Sequence, residues 1–180
     1  MTPVSSSLRW RLREATADAH ARVDARMGDA FDDAAGYATF LCAMHRFVRS
    51  SRQVLADAPE LGACEAALVD DLAVLGRAPL GDAPLAATRE DARLGWRYVI
   101  AGSSLGAQLL LKRAHALGFD ADRGARYLTL HAGGRAWPTL VAALDALRLS
   151  ETAEREACHG AVAAFGVVER ALDEAQGLTA

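Results

Sequence analysis

Apolar positions recur along this chain at the three-and-four spacing of helices. Leu8, Leu12, Thr16, Ala19, His20, Val23 and Met27 form one stripe, which predicts a helix capped by Ser7 and ending near Gly28. Asp33 can cap a second helix through Tyr37, Phe40, Leu41, Met44, Phe47, Val48 and Leu55, stopped before "APELG". A short third runs from about Ala63 to Leu75, followed by the loop "GRAPLGDAPLAAT". Thr88 with Asp91 three residues on resembles a capping box, and opens a long fourth helix that ends at Gly118. "FDADRG" is a loop, 124–131 fits no single pattern, and His131 in "TLHAGGR" is expected in a loop. Pro138 suits the first turn of a helix to Leu147. Ser150 caps a last helix to about Gln176. No alternating run and no internal repeat is present, so the expected architecture is a single all-α domain over 1–180, with its core over about 8–176.

Inside the fourth pattern, "RYVIAGSSLGAQLLLKRA" carries Gly102 and Gly106, with Gly95 before them. A helix-interior glycine costs about 1 kcal/mol relative to alanine. At about 100° per residue the three share one face, with Tyr98 adjoining. Bare backbone there admits either a closely crossing helix or a flat, bulky ligand. The spacing leaves both readings open.

Composition narrows the function without naming it. A net charge of −3 argues against a chain that binds nucleic acid over its whole surface. Lys112 is the single lysine among twenty basic residues, a bias without functional weight. Cys42, Cys64 and Cys158 are odd in number and form no C-x-x-C, which suits a reduced compartment and core packing over a zinc site or disulfides. "MTPVSSSLRWRLREA" has no apolar signal core, and the run Tyr98 to Leu111 is shorter than the about 20 residues a membrane span needs. A cytoplasmic, membrane-free protein is expected.

His20 is the residue with the most chemistry. It lies where the first stripe calls for a core residue, with Arg13 two turns before it and Asp24 one turn after. Cation, imidazole and carboxylate in line suit an anionic ligand held through a metal, and equally a solvated helix edge. The histidines form no H-x-x-x-H pair, so a carboxylate-bridged di-metal bundle is unsupported. No P-loop, G-x-S-x-G or dinucleotide fingerprint occurs.

Taken together, "LREATADAHARVD" and "GWRYVIAGSSLGAQLLLKRAHALGF" resemble heme oxygenases of the bacterial type, and "DRGARYLTLHAGGRAWPTLVAALDAL" continues the likeness, which covers about Leu8 to Leu172. The resemblance implies heme (iron protoporphyrin IX), as both substrate and cofactor, sandwiched between the first helix and the glycine-bearing helix. His20 would be the proximal iron ligand. Gly102 and Gly106 would lie over the face where O2 binds and, with Ser103 and Asp24, make up the candidate catalytic set. Arg13 and Tyr98 occupy positions that hold heme propionates, and Lys112 and Arg126 are added as candidate heme contacts. The implied reaction gives biliverdin, CO and ferrous iron. A carrier or sensor of the same fold is the alternative.

Physical reasoning adds two expectations. An imidazole without a strong carboxylate partner avoids peroxidase-like activation, leaving Asp24 to anchor water. The glycine motif contains no distal histidine–arginine pair. Departures from the family pattern concern polar support: Ala101 and Ser104 replace an acid and an asparagine, and Met44 and Val48 stand where relatives often have glutamine and histidine. Arg9, Arg13 and Arg22, with Lys112, Arg113, Arg123 and Arg126, could form a basic rim that steers heme carboxylates and an acidic electron donor such as ferredoxin with its reductase. A monomer is expected.

Overall fold

The structure is a computed structural model that describes residues 7–177; the expected 1–180 domain extends past the described residues at both ends. Among the described residues seven helices follow in order: α1 (Leu8–Met27), α2 (Ala34–Val54), α3 (Glu60–Val74), α4 (Glu90–Ala116), α5 (Arg126–Ala132), α6 (Ala136–Ala146) and α7 (Glu151–Gly177). No strand occurs among the described residues. The all-α expectation holds.

Local chemistry explains most of the boundaries. The Ser7 side chain accepts the Trp10 N–H, and the Asp33 carboxylate accepts the Gly36 N–H at 2.7 Å, as expected of N-caps. Ser150 accepts from Ala153 N–H at 3.2 Å at the start of α7. Gly118, just past α4, adopts φ +85°, a left-handed stop that disfavours side chains. The Thr88 box does not form. Its hydroxyl turns back to the Ala86 carbonyl, and α4 starts two residues later behind Arg89 with no side-chain cap.

The segment left unresolved by its pattern, 124–131, becomes α5, so His131 lies in a helix and not in a loop. Seven residues are too few to show a helical period or to stand alone. The N-terminus of α5 is held instead by Asp71 of α3. Its two carboxylate oxygens accept the backbone N–H groups of Arg126 (3.0 Å) and Tyr127 (2.8 Å). Burial pushes the Asp71 carboxyl up from the usual range, opposed by those two N–H groups and Arg126.

The core gathers around α2 and α7. Tyr37, Phe40, Leu41 and Phe47 of α2 are fully buried, as are Ala157, Ala161, Ala164 and Leu172 of α7. α7 is the common support: α1, α2 and α4 all pack on it. Ion pairs Arg11–Glu154, Arg22–Glu169 (2.9 Å) and Arg26–Asp173 (2.9 Å) tie α1 along its length to α7. α4 crosses α7 where Gly95 faces Ala157 and Ala161, and Gly160 faces Ala92. A Cβ at either glycine would overlap opposing backbone, so this close approach requires both. Beyond the crossing, a cavity lies between α1 and α4.

Candidate functional site

The cavity has a volume of about 1090 Å³, at the upper end for small-molecule pockets. From α1 come Arg9, Arg13, Thr16, His20 and Asp24; from α4, Tyr98, Gly102, Ser103, Leu105, Gly106 and Leu109. Phe40, Met44 and Phe47 of α2 and Phe165 and Val168 of α7 add apolar surface. Tyr127, Leu128 and His131 of α5 and Trp137 of α6 complete the lining. Leu105 and Leu109 are 60% and 64% exposed. Large apolar side chains left that open are out of place on a solvated helix and suit a cavity that an apolar body fills.

His20 is exposed into this space, its ring edge-on to Phe165 at 5.7 Å. Its Nδ1 lies 2.9 Å from Asp24 Oδ2. The carboxylate can only accept, so Nδ1 carries the proton and the Nε2 lone pair is left for a ligand or metal. The histidine thus has a carboxylate neighbour, Asp24, whose second oxygen is not engaged by the ring. The i, i+4 spacing that put both on one face was the available signal. The bond is exposed on both sides here, and strengthens when water is excluded.

On the opposite wall the glycines differ from one another. A Cβ at Gly106 would meet nothing within 4 Å, and one at Gly102 would touch the Trp137 ring at 3.4 Å. Gly95 is not part of this surface; it belongs to the α7 crossing. Tyr98 joins the two walls. Burial pushes its phenol up, and Arg13, Arg9 and a hydrogen bond with Thr16 oppose that rise. Arg9, Arg13 and Tyr98 therefore form one cationic and hydrogen-bonding edge, suited to carboxylate groups.

Lys112 and Arg126 are not among the residues that line the cavity. Lys112 is exposed beyond the lining of α4. Arg126 turns toward α3, with Nη1 2.6 Å from Asp70 Oδ2. The basic rim is also reduced, because Arg22 pairs with Glu169 and Arg113 with Asp32 and the Gly28 carbonyl.

Sequence reasoning missed His131. Its Nε2 is 2.8 Å from Ser103 Oγ, and its ring stacks on Tyr127 at 5.2 Å. Burial pushes its pKa down to about 4. Met44 lines the cavity, whereas Val48 is buried away from it, so α2 presents no hydrogen-bonding side chain to the lining.

The residues present fit a flat, dianionic, iron-bearing macrocycle. One wall offers an oriented imidazole, the other a bare helix face, and the edge between them is cationic. Comparison with known proteins agrees. A family model for heme oxygenase matches residues 82–174. Heme oxygenase PigA of Pseudomonas aeruginosa is 50% identical over 74 residues, a match that spans 40% of this chain and 37% of that protein. The crystal structure of NO- and CO-bound heme oxygenase from Neisseria meningitidis superposes with a TM-score of 0.82 and 33% identity, covering 96% of this chain and 94% of the other. Heme oxygenase from Leptospira interrogans shares the fold, with a TM-score of 0.67 at 19% identity over 93% and 99% of the two chains. With more than half of its length matched by the family model and nearly all of it by the Neisseria fold, this chain belongs to the heme oxygenase family.

Proposed function

We propose that this chain is a heme oxygenase that uses O2 and reductant to convert heme to biliverdin, CO and ferrous iron. The carrying observation is that His20, with Nε2 left for a ligand, and the side-chain-free face at Gly102 and Gly106 line the same cavity. Heme, when bound, supplies the iron that activates O2 and the macrocycle that is cleaved.

The protein's own groups then have separable tasks. His20 would hold the iron through Nε2, and Asp24 would keep the ring in the tautomer that leaves this nitrogen unprotonated. Arg13 and Tyr98, joined by Arg9, hold the propionates at the edge. Gly102 and Gly106 let the macrocycle approach the α4 backbone and leave room above it. Leu105, Leu109, Phe40 and Phe47 exclude water, which strengthens each polar contact inside. The remaining exposed arginines favour an acidic electron donor such as ferredoxin, and the three free cysteines are in keeping with the reduced cytoplasm.

Hemin titration is the test. The protein should develop a Soret band that His20→Ala weakens or shifts, with little change in thermal stability because the side chain is exposed. Ascorbate, or ferredoxin with its reductase, should then bleach the band with growth of biliverdin absorbance, unaffected by catalase. A heme complex that survives reductant and O2 would identify a carrier and overturn the enzymatic reading.

A further inference from the structure

The polar groups of the cavity are unevenly placed. Those of α1 and Tyr98 cluster around the imidazole and the edge. Along the rest of the α4 wall, Val99, Leu105, Ala107, Leu109 and Leu110 are apolar, and the single hydrogen-bonding side chain is Ser103. The facing residues of α2, Phe40, Met44 and Phe47, add none. Among the α4 and α2 residues, side-chain hydrogen bonding beside Gly102 and Gly106 therefore passes through Ser103 and its partner from α5, while Trp137 of α6 meets Gly102 with ring carbons.

Proton counting fixes the direction of that partnership. The Ser103 hydroxyl has one proton, and its Oγ lies 2.8 Å from the Ile100 carbonyl, which can only accept. The second contact, His131 Nε2 at 2.8 Å, must then be the donor. The order is His131 Nε2–H to Ser103 Oγ, and Ser103 Oγ–H to the Ile100 carbonyl. One lone pair on Oγ remains for the cavity. The imidazole itself is held by the Tyr127 stack, and α5 by Asp71 and by the Tyr37 hydroxyl, which donates to the Gly124 carbonyl at 2.8 Å.

We propose that His131 is a positioning residue of the heme site: its Nε2–H fixes the Ser103 hydroxyl so that Oγ presents an acceptor for a water held beside Gly102 and Gly106. The assignment rests on the heme reading given above. It places on α5 a polar anchor for the distal side, where α2 presents only apolar groups. His131 does not serve as an acid or base in this role, because a ring that stays neutral through the physiological range and spends Nε2 on serine neither gives nor takes a proton. The arrangement thus supplies order above the macrocycle without the acid–base histidine that would favour peroxidase-like cleavage.

Four variants test this. His131→Phe keeps a flat ring against Tyr127 and removes the donor, His131→Gln restores an N–H, Ser103→Ala removes the acceptor, and the fourth combines Ser103→Ala with His131→Phe. In 15N NMR of the heme-free protein, His131 should be in the Nε2–H form and resist protonation down to pH 5, and Ser103→Ala should release it. With hemin, His131→Phe should leave affinity within about twofold, lower biliverdin formation about tenfold and alter the isomer distribution. His131→Gln should recover most of both, and the double variant should be no worse than His131→Phe alone. A wild-type His131 that titrates near an ordinary histidine overturns the proposal, as does a His131→Phe variant with unchanged rate and isomers, or multiplicative effects in the double variant. Failure of the wild type to bind hemin would instead sink the functional reading, while the NMR arm still decides the hydrogen bond.

Discussion

Along one face of α4, three glycines meet two different surroundings. At Gly95 a Cβ would collide with the Ala157 carbonyl and the Ala161 amide of α7, and Gly160 returns the same constraint from the other side. About three turns further on, a Cβ at Gly106 would meet nothing within 4 Å. The first region spends glycine on a backbone-to-backbone crossing that supports the fold. The second leaves the same bare surface facing a cavity, at a cost to helix stability. One sequence feature thus serves two ends, decided by what lies opposite and not by the face itself.

The largest effect should come from the crossing. Gly160→Ala or Gly95→Ala should destabilise the protein by about 3 kcal/mol or more, because backbone has to move to admit the methyl group. Differential scanning fluorimetry should show a Tm lower by about 6–12 °C. A shift under 2 °C would mean that the helices part easily, and the distinction between the two regions would collapse. Gly102→Leu should show the reverse pattern, with Tm within a few degrees of wild type and biliverdin formation down at least about tenfold through crowding of the site, more than hemin affinity falls. Equal turnover in that variant would show that the glycine does not line the functional face.

A third prediction uses pH. The crossing of Ala92, Gly95, Ala157, Gly160 and Ala161 titrates nothing, whereas the cavity side contains His131 with its pKa pushed down to about 4. Between that value and the ordinary one near 6.5, the unfolded chain binds a proton that the folded chain refuses. Stability therefore falls as pH drops through this window, and His45, also lowered by burial, acts in the same direction. Urea unfolding at pH 7 and pH 5 should show the His131→Phe variant losing about 1–2 kcal/mol less than wild type. The smallest effect belongs to Gly106→Ala, which should raise stability by about 0.5–1 kcal/mol through helix propensity. A loss there would reveal a contact that the open surroundings do not show.

What could be read in advance follows from range. Ser7, Asp33 and Ser150 act on N–H groups three residues away, so their caps were visible in the sequence. His20 and Asp24, four apart on one helix, were placed in the cavity for the same reason, although their mutual bond was not foreseen. α5 was not legible, because the group that starts it, Asp71, is 55 residues earlier. The role of His131 was lost with it, since nothing local identifies a seven-residue helix or joins its histidine to Ser103 across 28 positions. Thr88 misled for the complementary reason: a correct local motif whose hydroxyl turns to Ala86 instead of capping α4. Gly95 was assigned to the right face, but only the position of α7 shows that the cavity ends before it.

The ion-pair row between α1 and α7 has a mechanical consequence. With Arg11, Arg22 and Arg26 fastened to Glu154, Glu169 and Asp173, α1 and α7 act as a fixed jaw that carries His20. α4 is the opposing jaw, and its bearing on α7 is the backbone contact at Gly95 and Gly160. Gly102 and Gly106 lie about 10 Å and 16 Å along the helix from that bearing. A difference of about 5° in the crossing angle there would change the gap by roughly 0.9 Å at Gly102 and roughly 1.4 Å at Gly106, by simple leverage over those lengths. The width of the slot for a flat molecule is thus set at a point that contributes nothing to its lining, the paired glycines of the crossing.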